Sequence, residues 1–103
     1  MIKGIGVDIV KIERITPKIK DKVLSSEENE LFLAQSLQRQ REFLAGRFAI
    51  KEALYKAGLR IEFTKMNIKY NLDNSIFLEN YPNIKISISH EKEYAIGYAI
   101  IED

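Results

Sequence analysis

A chain of 103 residues, 46% hydrophobic and 30% charged, has the composition of one ordinary globular domain spanning residues 1–103 around a single modest core. The lack of cysteine excludes disulfide frameworks, thiolate metal sites and cysteine nucleophiles. No apolar run approaches the ~20 residues that span a bilayer, and the N-terminus has no secretory pattern, so a cytoplasmic protein without a membrane partner is expected.

In chain order, Ile5, Val7 and Ile9 alternate with Gly4, Gly6 and Asp8, the period-two pattern of a strand with one apolar face. The two glycines either leave space beside the Asp8 carboxylate, where a ligand or another backbone comes close, or mark a bulge or tight packing. Ser25 and Glu28 form the pattern of a capping box, which opens a short helix to about Gln35. A longer helix is expected from Gln38 to Ala57, with Gly58 as its stop. Met66 to Leu72 and Ile76 to Leu78 read as a hairpin turning at Asp73-Asn74. Ile84, Ile86 and Ile88 mark another strand, and Tyr94 to Ile101 the last one. In that strand Ala95, Gly97 and Ala99 make a small-residue face that a covering element can approach closely. The order of elements implies an α+β domain with an antiparallel or mixed sheet packed on a long central helix. A domain this small builds a deep cleft more readily between copies than within one, so a homo-oligomer is expected.

Charge is blocked along the chain although the formal net charge is only +1. Lys11, Arg14, Lys18, Lys20 and Lys22 face only Glu13 and Asp21 within residues 11–24, and residues 38–60 are likewise basic, whereas residues 71–103 are acidic. Basic blocks suit phosphates or an acidic partner, or are simply solvated helix faces.

On the long helix, at ~100° per residue, Glu52 and Lys56 lie about 40° apart on one stripe, and Arg47 and Lys51 form a second stripe. Ala45, Ala49, Ala53 and Ala57 form a row beside the first. Glu52 and Lys56 read either as an ordinary surface ion pair or, with Asp8, as chemistry. Two hard carboxylates suit a magnesium ion that keeps waters and meets substrate phosphates, and a lysine one turn away suits a pyrophosphate. His90 ends a strand. With Ser89 and Glu91 it cannot form a catalytic triad, because neighbouring strand residues face opposite ways. A phosphate or hydroxyl contact from His90, Ser87 or Ser89 and a purely structural role both remain open.

Three segments together resemble the small, single-domain holo-acyl-carrier-protein synthases: Gly4 to Val10, Phe43 to Ala57, and Ile86 to Glu91 continuing through Tyr94-Ala95. The resemblance implies the 4′-phosphopantetheinyl transferase fold and magnesium-dependent transfer of the 4′-phosphopantetheine arm of coenzyme A to a serine of apo acyl carrier protein, in fatty acid biosynthesis. It implies that Asp8 and Glu52 bind Mg²⁺ and that Lys56 contacts the coenzyme A phosphates and assists transfer. Arg47, Lys51, Ser89 and His90 are implied in coenzyme A binding, and Arg14 in contact with the acidic helix of the carrier. It further implies a homotrimer with active sites between subunits. Asp73-Asn74-Ser75 stands where the family has a glycine-lysine-proline turn. A module binding nucleotides or RNA through the basic helix would explain the charge but not Asp8 and Glu52, since carboxylates beside phosphates repel unless a cation lies between them. No nucleic-acid partner is therefore expected. A structural oligomerisation domain is the third reading; in it Glu52 and Lys56 would matter for stability alone.

Overall fold

The computed structural model describes residues 1–103. Strand β1 (Ile2–Lys11) leads through two 3-10 turns, Ile12–Arg14 and Pro17–Ile19, into helices α1 (Lys20–Val23), α2 (Ser26–Leu33) and α3 (Leu37–Ala57). A 3-10 turn at Phe63–Lys65 precedes β2 (Ile68–Tyr70), β3 (Ile76–Leu78), β4 (Ile84–His90) and β5 (Tyr94–Glu102). Strands β1, β5 and β4 form an antiparallel sheet in that order, and β2 and β3 form a separate hairpin. The α+β architecture expected from the sequence is the one observed. No helix is long and apolar enough to cross a membrane.

The helix ends follow local chemistry. The Ser25 hydroxyl accepts from Glu28 N while the Glu28 carboxylate accepts from Ser25 N, closing the capping box. Ser36 caps α3, and Gly58, at φ 128°, ends it in a conformation that favours glycine. Leu59 N then donates to Leu54 O, satisfying a carbonyl of the last turn.

Alternation along β1 is as expected, but α3 covers the small-residue face and leaves the large apolar one open. Ile5, Val7 and Ile9 are more than half exposed, and Tyr94, Ile96 and Tyr98 of β5 share their side of the sheet. On the other side, Gly4, Gly6, Gly97, Ala95 and Ala99 meet the α3 alanines, all of them buried or nearly so. The reason is distance. A Cβ on Gly97 would lie 2.5 Å from the Cα and N of Ile50, so helix and sheet approach at backbone contact. The glycine face is therefore tightly packed against the backbone of α3, with a register irregularity between Ile2 and Gly4. Gly97→Ala is expected to lower stability by about 1–3 kcal/mol, because both neighbours are backbone and cannot give way. A fall in the urea midpoint with an unchanged m-value would show it.

The core lies on either side of α3. Val10, Ile12, Val23, Phe32 and Leu44 pack towards its first half, and Ile50, Leu54, Met66, Ile68 and Leu78 towards its second.

Candidate functional site

Close packing of β1 on α3 fixes the first group of polar residues. Gly6 faces Ala53 and Ala57 of the helix, so Asp8, next but one on the same strand face, emerges beside the helical turn carrying Glu52 and Lys56. Lys56 Nζ donates to Asp8 Oδ1 at 2.9 Å and lies 3.4 Å from Val7 O. The simple Glu52–Lys56 ion pair does not form; the lysine reaches across to the strand instead. The Asp8 side chain is 18% exposed and that of Lys56 54%, so the pair sits at the rim of the helix–sheet seam, open to a ligand. The hydrogen bond that Lys56 donates to Asp8, the charge of Asp8 and that of Glu52 raise the Lys56 pKa, so Lys56 is an ammonium at neutral pH and no base.

Asp8 and half-buried Glu52 have no third histidine or carboxylate beside them. Within one copy they do not make an all-protein metal cage. The donor set still fits Mg²⁺, which commonly takes one or two carboxylates and fills its octahedron with waters and substrate phosphates. The contact between Asp8 and an ammonium shows that a cation is already accommodated at this carboxylate.

The second group lies at the opposite edge of the sheet. Arg47, Tyr70, Asn74, Ser75, Ser87 and His90 line an open cleft of about 360 Å³ beside β4. Arg47 is 4% exposed and held on several sides. Its Nε donates to Glu28 Oε2 at 3.0 Å, a terminal N–H reaches the Tyr70 hydroxyl at 3.2 Å, and the guanidinium lies 4.4 Å from the Phe43 ring centroid. His90 Nε2 is 3.2 Å from Glu42 O, packed over Gly46, where any Cβ would collide with the imidazole.

Two expected coenzyme A contacts are not in this cleft. Lys51 is completely buried, and its ammonium donates to Glu28, to Val23 O at 2.7 Å and to Phe63 O at 3.0 Å. An ammonium has three donors, so none is left for a phosphate. Lys51 is thus a structural residue, and the helical stripe shared with Arg47 divides between interior and cleft. Burial pushes its pKa down to about 8 and the neighbouring Arg47 charge adds to that, while the charge and hydrogen bond of Glu28 act the other way. Ser87 and Ser89 share the face away from α3, but only Ser87 lines the cleft; Ser89 pairs with Ile96 further along the strand and does not. Arg14 is exposed at the end of its 3-10 turn, free to meet an acidic partner.

Sequence reasoning missed two participants. Glu28, read as a cap, is fully buried and binds Arg47 and Lys51 together. Tyr70, read as a strand residue, stands at the cleft mouth against Arg47. The capping-box position of Glu28 was legible, but nothing local signals its burial.

The two groups do not face each other. Strand β5 separates β1 from β4, a gap of roughly 10 Å, and Arg47 and Lys56 project about 180° apart around α3.

The sequence model of the 4′-phosphopantetheinyl transferase superfamily matches residues 4–99. A holo-[acyl-carrier-protein] synthase of Mycoplasma capricolum is 44% identical over 106 residues, covering 97% of this chain and 94% of that protein. One from a Geobacillus strain is also 44% identical, over 99% and 98% of the two chains. The crystal structure of a holo-(acyl-carrier-protein) synthase from Bacillus anthracis, in complex with CoA (3′,5′-ADP), superposes with a TM-score of 0.90 at 32% identity, covering 100% of this chain and 98% of that one. With the fold shared across the whole chain and the family sequence pattern running from Gly4 to Ala99, this chain belongs to the 4′-phosphopantetheinyl transferase superfamily.

Proposed function

We propose that the chain transfers the 4′-phosphopantetheine arm of coenzyme A to a serine of apo acyl carrier protein, serving fatty acid biosynthesis, with Asp8 and Glu52 as Mg²⁺ ligands and Lys56 as the phosphate-binding cation. The observation that carries the site assignment is the Asp8–Lys56 contact beside Glu52: two carboxylates and an ammonium at an open rim, an arrangement that receives a divalent cation and a phosphate together.

The carrier serine oxygen bonds to the β-phosphorus of coenzyme A while the bond from that phosphorus to the bridging oxygen breaks, releasing adenosine 3′,5′-bisphosphate and the serine proton. Bound Mg²⁺ would supply charge neutralisation and orientation of the phosphate oxygens. Lys56, charged throughout, stabilises negative charge gathering on the pyrophosphate, and Asp8 and Val7 O hold its ammonium in reach. Arg47 and His90 bind the nucleotide end, and exposed Arg14 meets the acidic carrier.

Arg47 and Lys56 look away from each other, so one copy does not present both to one coenzyme A. A contact joining the β1 edge of one subunit to the β4 edge of the next brings them together. Such a head-to-tail contact closes into a ring, and three copies agree with the sequence resemblance. The open face of Ile5, Val7, Ile9, Ile96 and Tyr98 supplies the apolar surface for it. Tyr98→Lys is expected to shift the sedimenting species from trimer to monomer and to remove most turnover; a fully active monomer would sink the shared site.

The activity itself is tested by intact-protein mass spectrometry of an apo carrier protein incubated with this protein, coenzyme A and Mg²⁺. A mass gain of one phosphopantetheine arm, abolished by EDTA, is expected. No gain from folded protein with several carriers would overturn the reading.

A further inference from the structure

Tyr70 is tied to the cleft through one residue, Arg47. Its hydroxyl accepts a terminal N–H of Arg47 at 3.2 Å, and the guanidinium carbon lies 5.5 Å from its ring centroid. On the inner side the same guanidinium is fixed by Glu28 Oε2 through Nε and by the face of Phe43. Glu28 cannot shift to accommodate a ligand. Its two oxygens also take Ser25 N, Ile68 N and the Lys51 ammonium, which bind it to α2, β2 and α3 at once.

An arginine side chain has five N–H donors, of which Glu28 uses one and Tyr70 another. The remaining N–H groups are all that Arg47 can offer an anion in the cleft. Their direction is set jointly by the buried carboxylate behind and the phenol in front. Without the phenol, the guanidinium keeps its inner anchor on Glu28 and Phe43 but loses the contact that fixes its outer edge. Tyr70 is about half exposed and lies in the three-residue strand β2, so its hydroxyl adds little to the core.

We propose that Tyr70 is a positioning residue for coenzyme A binding: it clamps Arg47 against Glu28 so that the free edge of the guanidinium is aimed at an anionic group of the nucleotide end. The inference rests on the reading that the β4 cleft holds coenzyme A. Tyr70 touches Arg47 and need not touch the reacting phosphorus, so its effect falls on binding and not on the chemical step.

The test uses the full chain and steady-state kinetics with coenzyme A varied at saturating carrier protein, for Tyr70→Phe, Arg47→Ala and the double variant, with thermal unfolding of each. Tyr70→Phe is expected to raise KM for coenzyme A about ten-fold, the lower end for a hydrogen bond from a charged donor, with kcat, KM for the carrier and Tm little changed. In the Arg47→Ala background the same change is expected to do nothing further, because the group it positions is gone. An equal rise in both backgrounds would overturn the proposal, since Tyr70 would then act without Arg47. A rise for Arg47→Ala but none for Tyr70→Phe would overturn it while leaving the cleft as the coenzyme A site. No rise for either variant would remove both the proposal and the reading beneath it.

Discussion

Glu52→Gln and Asp8→Asn are each expected to reduce kcat for carrier modification by about a thousand-fold, the effect of losing most of the charge stabilisation that a divalent cation provides to phosphoryl transfer. Each change keeps shape nearly constant, leaves one acceptor oxygen and removes a negative charge. Stability should barely move, because the Asp8–Lys56 pair is at the rim and exposed ion pairs contribute little. The two readings of these carboxylates separate on the metal. If they hold Mg²⁺, residual turnover in either variant requires far more Mg²⁺ for half-saturation than the parent protein does. If Asp8 merely orients Lys56, Asp8→Asn leaves the Mg²⁺ dependence where it was, and the metal assignment fails. Lys56 offers an internal control. Its raised pKa keeps it protonated through the neutral range, so its loss should lower the rate without introducing a new limb in the pH profile.

Most of the fold was written locally. The Ser25–Glu28 box, the Gly58 stop and the alternation in β4 and β5 each depend on residues a few positions apart, and each element formed where those signals lie. Which face of β1 would be buried was not written locally, because alternation is the same viewed from either side. The answer came from a match between two distant small surfaces, Gly4 and Gly6 with Ala53 and Ala57, close enough to exclude any larger side chain. The wheel likewise gave Arg47 and Lys51 one stripe, yet α2 and the turn before β2 close over Lys51 and leave Arg47 at the cleft. Asp8, Glu52 and Lys56 were legible because the strand period and the helix period both survive folding. Tyr70 was not, since its part depends on a partner 23 positions away.

Glu28→Ala is expected to destabilise the protein by about 3–5 kcal/mol, the largest stability change of any single substitution considered, because it strands two buried cations. Glu28 is fully buried, as is Lys51, and the Arg47 side chain is 5% exposed, so water cannot replace the lost carboxylate. The same change also frees Ser25 N and Ile68 N and unties α2 from β2. Against a total of roughly 5–15 kcal/mol for a domain of ordinary stability, such a loss moves much of the population to the unfolded state. Lys51→Met should cost far less, since Glu28 keeps Arg47 as its counter-ion and the methionine fills the space of the lysine stem. Urea unfolding of the two variants side by side decides the matter. A large loss for Glu28→Ala and a small one for Lys51→Met place the stabilising role in the carboxylate that joins three elements. Equal losses would mean that the buried ammonium itself, through Val23 O and Phe63 O, holds α1 and the turn before β2 on the long helix.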